Sequence, residues 1–395
     1  MRRLVFCCDG TWNHVESAYP TNVLKLARAI PGVASDGNAQ VVFYLEGVGT
    51  GRGTGKIAQK IDRLGGGMFG WGLLQNVVEA YRHLVFNYQP GDEIYIFGFS
   101  RGAHTARSLA GLIRSVGILD RDRIHMLPEA IKRYQNHTAS GHPDAPTNCA
   151  FRWENSRGVT TGGAEREWRQ LHHPEVDVDS AVPLKIAYLG VWDTVGAMGV
   201  PSFLWISKLF NRKYAFHDFK LSSSVASARH AIALDERRAT FPDAPWDNLD
   251  ELNARQPDGA MLPYQQLWFP GDHGSVGGGG DVTGLSDNAL LWVVEGAVAM
   301  GLEVPKAFLD HTARMVDHRA ALTNVSTQKW SFTGWAMSMV MRDREGPQLV
   351  ADVSPSARKR WVESDYRPGS LKRVAIDLES GSTSEPVPAR FGEAA

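Results

Sequence analysis

An apolar segment at residues 94–97 runs directly into Gly98-Phe99-Ser100-Arg101-Gly102, which matches the pattern G-x-S-x-G. The segment is rich in β-branched and aromatic side chains, which is typical of a buried strand. Beyond the turn, apolar residues at positions 106–113 recur with the spacing of one helix face. A strand, a sharp turn and a helix with a serine at the apex form the context of a nucleophile elbow. The sequence therefore predicts that Ser100 is a nucleophile.

The two glycines of this turn have a physical reason. A Cβ at Gly98 or Gly102 would collide with the neighbouring strand or helix in so tight a turn. Ser100 would then lie at a helix N-terminus, where a developing oxyanion is favoured. The alternative is a glycine-rich strand-to-helix turn in which the serine has no chemical role.

The rest of the chain predicts an α/β fold. Strand and helix patterns alternate over the first 115 residues, which is typical of a parallel sheet with helices on both faces. Predicted strands lie at residues 4–8, 41–45, 94–99, 184–192 and 266–270. We expect a single α/β-hydrolase-like domain over residues 1–375, with insertions at about 119–183 and 199–263 and a flexible tail at 376–395.

Composition excludes several classes of function. The 42 basic and 43 acidic residues give a net charge of −1, so there is no electrostatic footprint for nucleic acid or an anionic membrane surface. Three cysteines cannot build a disulfide framework, which suits a reducing compartment. No apolar run approaches the ~20 residues of a transmembrane helix, and the N-terminal run is too short for a secretory signal. The sequence predicts a cytoplasmic protein, with export by a dedicated secretion system left open.

A nucleophilic serine needs a base, and that base needs an acid to fix its tautomer. In α/β-hydrolases the acid and then the histidine follow the serine, each in a loop after a strand. Asp193 directly follows the strand at 184–192, and His273 follows the strand at 266–270. Both would lie with Ser100 at the carboxyl edge of the sheet. We therefore predict a catalytic triad of Ser100, Asp193 and His273.

Rival residues exist for both partners. Of the 13 histidines, His273 alone combines a strand end, a glycine-rich loop and the expected chain order. His230 is the rival base, and Asp235 and Asp272 are the rival acids. Each selected residue also has a structural alternative: a histidine with satisfied hydrogen bonds, or an aspartate that caps a turn.

The oxyanion of such a reaction needs two backbone N–H donors. One should be Arg101, the residue after the nucleophile, and the other usually comes from the loop after an earlier strand. The loop at residues 9–12 occupies that place, so Gly10 or Thr11 is the second candidate. Asp9 has an alternative role, in which its carboxylate holds the loop by accepting backbone hydrogen bonds.

Two ligand-binding motifs are incomplete. Residues 50–57 resemble a phosphate-binding loop, but they begin with threonine and lack the hydroxyl after Lys56. Residues 277–281 resemble a calcium repeat that occurs only once, and no zinc-ligand spacing is present. We therefore predict no cofactor and no metal. The aromatic run at residues 203–219 suits a core or an interface, and a lid over an apolar substrate channel is the alternative.

Several motifs together resemble a known family. In chain order they are Asp9-Gly10-Thr11-Trp12-Asn13, Thr21-Asn22-Val23, Gly47-Val48-Gly49-Thr50, Gly98-Phe99-Ser100-Arg101-Gly102-Ala103, Gly190-Val191-Trp192-Asp193-Thr194-Val195-Gly196, His230-Ala231, Asp235-Glu236-Arg237-Arg238, Trp268-Phe269-Pro270-Gly271-Asp272-His273 and Asp365-Tyr366-Arg367-Pro368-Gly369-Ser370-Leu371. Over about residues 3–372 the chain resembles the uncharacterised α/β-hydrolase domain family that includes the catalytic domain of type VI secretion phospholipase effectors. The resemblance implies a Ser-Asp-His triad, which falls on Ser100, Asp193 and His273.

One departure from that family lies beside the predicted base. The family tends to carry Ser-Asp after the histidine, and this chain has Gly274-Ser275. The effectors also carry membrane-associating segments, for which 395 residues leave little room, so toxin function is not expected to carry over.

Three functions follow from these observations. The first is a serine hydrolase of carboxyl esters, with a lipid or small acyl compound as substrate and with thioesters and amides left open. The second is a non-catalytic binding module on the same fold, suggested by Gly274-Ser275. The third is a phosphate or nucleotide binder that uses the loop at residues 47–55. The oligomeric state does not follow from the sequence.

Overall fold

The computed structural model describes residues 1–10, 13–47, 67–136, 138–195, 220–238, 241–255, 262–323 and 341–380. Thr11, the loop at 48–55, the aromatic run at 203–219 and the tail from residue 381 lie outside the described residues. The predictions that concern them therefore remain predictions.

The described part of the chain is built on a six-stranded sheet in which every neighbouring pair of strands is parallel. The strands in chain order are β1 (Arg3–Cys8), β2 (Gln40–Leu45), β3 (Glu93–Phe99), the short β4 (Val159–Thr160) and β5 (Val182–Pro183), β6 (Ile186–Trp192), β7 (Ala228–Ala233) and β8 (Tyr264–Phe269). The order across the sheet is β2-β1-β3-β6-β7-β8, while β4 and β5 pair separately. The predicted α/β class with a parallel sheet is confirmed.

Helices surround this sheet. They are α1 (Asn22–Ala29), α2 (Gly67–Asn87), α3 (Arg101–Val116), α4 (Leu127–Tyr134), α5 (Pro146–Asn155), α6 (Gly163–His172), α7 (Leu249–Asn253), α8 (His273–Gly277), α9 (Gly284–Ala299), α10 (Lys306–Met315), α11 (Pro355–Glu363) and α12 (Ala375–Glu379). Short 3-10 helices lie at Arg121–Met126, Ala139–Gly141, Val178–Ser180, Val350–Asp352 and Gly369–Leu371. Within the described ranges, no helix has the length and apolar character needed to cross a bilayer.

Both faces of the sheet are buried, because side chains alternate between faces along a strand. On one face, side chains of β1 and β3 pack with α2 and α3: Leu4, Phe6, Ile94 and Ile96. On the other face, the alternate side chains pack with α1 and α9: Val5, Cys7, Tyr95 and Phe97. Burial on both faces explains why these strands are continuous apolar runs rather than alternating ones.

One strand of the sheet was not predicted. β7 lies inside the range 199–263 that the sequence pattern assigned to an insertion, and it pairs with β6 and β8. Its sequence, ARHAIA, contains arginine and histidine and does not resemble a buried strand. β7 is buried between β6 and β8, so residues 228–233 belong to the main sheet and not to the insertion predicted at 199–263.

The C-terminal part of the described chain covers the β8 side of the sheet. Side chains of β7, β8 and residues 353–374 form a third apolar cluster: Ile232, Leu234, Trp268, Val353, Ala357, Trp361, Tyr366, Leu371 and Val374. The backbone N–H of Ser354 donates to the carbonyl oxygen of Trp268 at 2.9 Å. This packing brings residues 341–370 next to the loops that follow β7 and β8.

Candidate active site

Ser100 is the single residue between β3 and α3. Its backbone has φ 58° and ψ −123°, a left-handed conformation that non-glycine residues rarely adopt. Its N–H donates to the carbonyl oxygen of Trp192 at 3.1 Å, which ties the turn to the end of β6. The strand-turn-helix predicted around Ser100 is confirmed. Strain of this kind persists only where the surrounding structure enforces it, and it is common at functional sites.

The glycines on either side of Ser100 allow a very close approach of backbones. A Cβ at Gly102 would overlap the carbonyl oxygen of Cys8 at the end of β1, and a Cβ at Gly98 would overlap the carbonyl oxygen of Gly102. The expectation that a Cβ at either position would clash is therefore confirmed.

Three side chains chosen from the sequence meet at the carboxyl edge of the sheet. The Oγ of Ser100 lies 2.8 Å from Nε2 of His273, and Nδ1 of the same ring lies 2.6 Å from Oδ2 of Asp193. All three residues are buried, Asp193 completely. This is the hydrogen-bonded order of nucleophile, base and acid in a serine hydrolase. Their roles in catalysis remain a prediction.

Local structure holds the base and the acid in place. Asp193 follows β6 with φ 36°, and its Oδ1 accepts a hydrogen bond from the N–H of Ala233 at 2.8 Å. His273 opens α8, whose N-cap residue Asp272 accepts from the N–H of Ser275 at 2.9 Å. The His273 ring packs against Phe99, with ring centroids 4.6 Å apart. The imidazole is therefore fixed by both packing and hydrogen bonds.

The acid has a second partner, Arg344, that the sequence did not reveal. Nη1 and Nη2 of Arg344 contact the two carboxylate oxygens of Asp193 at 2.6 and 3.1 Å. Burial alone would raise the pKa of Asp193, but the charge of Arg344 and the hydrogen bond from His273 outweigh it and lower that pKa far below its usual range. Arg344 follows the last predicted strand and belongs to no motif, so no signal in the sequence pointed to it.

The rival residues have other contacts. His230 is fully buried in β7, and its Nε2 accepts a hydrogen bond from the N–H of Thr194 at 3.3 Å. Burial, followed by the charge of Arg107, lowers the pKa of His230 well below its usual value. Asp235 accepts from the N–H of Gly271 at 2.7 Å and from the hydroxyl of Tyr366 at 2.6 Å. These contacts, with the capping by Asp272, suit structural roles.

The predicted oxyanion donors Gly10 and Arg101 lie in different surroundings. The N–H of Gly10 donates to Oδ1 of its neighbour Asp9 at 2.6 Å, and the donor roles of Gly10 and Thr11 remain predictions. Oδ2 of Asp9 accepts from the hydroxyls of Thr21 and Tyr44 at 2.6 and 2.7 Å. Asp9 therefore holds this loop, as the alternative anticipated. Arg101 is the first residue of α3, so its backbone N–H lies at the helix N-terminus, and its donor role remains a prediction.

The serine that follows the predicted base in this chain makes a hydrogen bond of its own. In Gly274-Ser275, the Ser275 hydroxyl donates to the carbonyl oxygen of Leu322 at 2.9 Å.

In the described part of the chain, no group of three or more His, Cys, Asp or Glu side chains could hold a metal ion. Cys7, Cys8 and Cys149 are buried free thiols.

Comparison with known proteins identifies a family. The family model described as "T6SS, Phospholipase effector Tle1-like, catalytic domain" matches residues 2–296. The chain is 28% identical over 247 residues to the uncharacterized protein YEL023C of Saccharomyces cerevisiae, covering 61% of this chain and 32% of that protein. It thus spans about a third of that relative.

Two solved structures are similar to parts of this chain. The crystal structure of an uncharacterized protein from Pseudomonas aeruginosa aligns with TM-score 0.44 and 17% identity, over 80% of this chain and 49% of that one. The structure of the Tle1 effector bound to the VgrG spike from the Type 6 secretion system aligns with TM-score 0.36 and 20% identity, over 71% of this chain and 51% of that one. The chain spans about half of each.

Proposed function

This chain belongs to the family of T6SS phospholipase effector Tle1-like catalytic domains, and from that premise we propose that it is a serine hydrolase that cleaves carboxyl esters of phospholipids. The observation that carries the proposal is the continuous contact from Ser100 Oγ through the His273 ring to the Asp193 carboxylate, at 2.8 and 2.6 Å. We assign the fold to the α/β-hydrolase class because it has a parallel sheet and a strand-turn-helix elbow with Ser100 at its apex.

The proposed reaction has two halves. His273 Nε2 takes the proton of Ser100 as Oγ attacks the ester carbonyl carbon, and the Arg101 N–H donates to the oxyanion that forms. His273 then gives that proton to the leaving alcohol oxygen as the ester C–O bond breaks, which leaves an acyl group on Ser100. Water attacks this acyl-enzyme with the same base, and the free fatty acid leaves. Asp193 stays ionised and stabilises the protonated ring.

The family also bears on the biological setting. The effector description favours delivery by a type VI secretion system, the export route that the sequence left open, over a purely cytoplasmic role. The phosphate-binding alternative depends on residues outside the described part of the chain, and no contact of the described residues favours it.

The test is release of fatty acid from phosphatidylcholine vesicles. We expect the protein to release fatty acid and Ser100→Ala to lower the rate by about 10⁴-fold or more, as for loss of a nucleophile in other triads. Ser115→Ala is the matched control, because Ser115 is a buried serine near the end of α3, the helix that follows Ser100. Equal rates for the protein and S100A would overturn the proposal, and no turnover on any ester would favour the non-catalytic binding module.

A further inference from the structure

The Asp193 carboxylate accepts four hydrogen bonds. One comes from His273 and one from the N–H of Ala233, and the other two come from the Arg344 guanidinium. The same guanidinium donates to the carbonyl oxygens of Ala233 at 3.0 Å and Phe241 at 2.9 Å. Each terminal nitrogen of Arg344 thus bonds one carboxylate oxygen and one backbone carbonyl.

This geometry constrains the carboxylate. A two-point contact between a guanidinium and a carboxylate holds the two groups in a defined relative orientation. The backbone carbonyls in turn hold the guanidinium, whose side chain is 4% exposed. Asp193 Oδ2 is therefore held toward Nδ1 of His273 rather than free to rotate about its side-chain bonds.

Arg344 also changes the charge that His273 faces. A lone buried carboxylate strongly stabilises a protonated imidazole beside it. Here the positive guanidinium offsets the negative carboxylate, and the two groups form a buried pair with no net charge beside His273.

We propose that Arg344 is a positioning residue of the triad: its two-point contact orients the Asp193 carboxylate toward His273, and its charge balances the charge of that carboxylate. This inference rests on the proposed function and adds a residue that lies beyond the region matched by the family model, which ends at residue 296.

The segment that carries Arg344 is anchored beside the site. The N–H of Arg342 donates to the carbonyl oxygen of Arg237 at 2.9 Å, and Met341 forms a bridge with Arg238. The hydroxyl of Ser370 donates to the carbonyl oxygen of Leu234 at 2.8 Å. Residues 341–370 therefore complete the environment of the acid.

Other charged or titratable groups near the site come from α3, β7 and the loops after β7 and β8: Arg107, His230, Glu236, Arg238, Asp243 and Asp272. Glu236 is paired with Arg238 at 2.6 Å. The ion pairs to the Asp193 carboxylate in the described part of the chain come from His273 and Arg344. Arg344 is thus the fixed positive charge with the most direct influence on the acid.

The test compares R344K, which keeps the charge but loses the two-point contact, with R344Q, which loses the charge. The measurement is the second-order rate of inactivation by a fluorophosphonate at pH 8, a reaction that needs Ser100 and its base. We expect R344K to lower the rate at pH 8 about 10-fold, because it loses the two-point contact. We expect R344Q to lower it about 100-fold or more, because it also leaves the buried Asp193 carboxylate without a balancing charge.

Arg152→Lys is the control. Arg152 is an equally buried arginine that lies away from the triad, and it contacts the Glu165 carboxylate at 2.6 Å. R152K should leave the rate unchanged. A rate in R344Q no lower than in R344K would overturn the role of the charge. If R344Q does not fold, a wild-type rate in R344K would overturn the positioning role by itself. A wild-type protein that the probe does not label would instead refute the proposed function.

Discussion

At the residue scale, strained backbone is concentrated at the candidate triad. Ser100 and Asp193 are the two non-glycine residues with positive φ in the described part of the chain. Hydrogen bonds from both residues to the ends of neighbouring strands enforce these conformations: the N–H of Ser100 to Trp192 and the N–H of Asp193 to Ala231, at 3.1 and 2.7 Å. The sheet therefore positions the nucleophile and the acid through their own backbones.

The charge of Asp193 can be tested by Asp193→Asn. The amide keeps the shape of the side chain, but it no longer stabilises a protonated His273 and leaves the Arg344 charge buried without its partner. We expect the fluorophosphonate rate to fall by about 10³- to 10⁴-fold and the free energy of unfolding to fall by about 3 kcal/mol. Asp235→Asn is the control for the rival acid and should keep the rate within about tenfold. An equal loss of rate in the two variants would refute the assignment of Asp193.

At the element scale, the close approach of α3 to the end of β1 depends on Gly102. We expect Gly102→Ala to lower the free energy of unfolding by about 2 kcal/mol or more, because the added methyl group would overlap the Cys8 carbonyl oxygen and force backbone movement. Gly163→Ala is the matched control in the first turn of α6, since a Cβ there meets nothing within 4 Å. It should be neutral or stabilise by up to about 1 kcal/mol. Urea unfolding measures both, and equal stability of G102A and the wild type would contradict this packing.

Some of these elements could be predicted from the sequence, and others could not. The elbow is a local pattern, so its strand, turn and glycines were predictable from a few neighbouring residues. β7 was not predictable, because Arg229 and His230 interrupt the apolar pattern of a buried strand. The burial of β7 comes from its neighbours β6 and β8. Asp193 and His273 could be selected because parallel strands place their carboxyl ends at one edge. Arg344 lies in an irregular segment, so only tertiary packing reveals it.

At the scale of the whole molecule, buried histidines couple stability to pH. Burial, and then the charge of Arg107, lower the pKa of His104 to about 3 from its ordinary value of 6.5. The unfolded chain therefore binds a proton between about pH 6.5 and 3 that the folded chain does not. Folding stability must fall as the pH falls through this window, by up to about 1.4 kcal/mol per pH unit for this group.

His104→Gln tests this coupling. We expect the loss of unfolding free energy between pH 7 and pH 5 to be about 2 kcal/mol smaller in H104Q than in the wild type. The exposed His125 provides the control, because His125→Gln should leave that loss unchanged. Urea unfolding at the two pH values gives the comparison. The same pH dependence in H104Q and the wild type would mean that His104 is not held neutral in the folded state.

The most direct test of the central claim is to map the covalent adduct that a fluorophosphonate forms with the protein. We expect one adduct by peptide mass spectrometry, on Ser100, with labelling lost in S100A and reduced at least about 10³-fold in His273→Ala. An ordered protein that forms no adduct, or an adduct that forms equally well without the His273 imidazole, would contradict it.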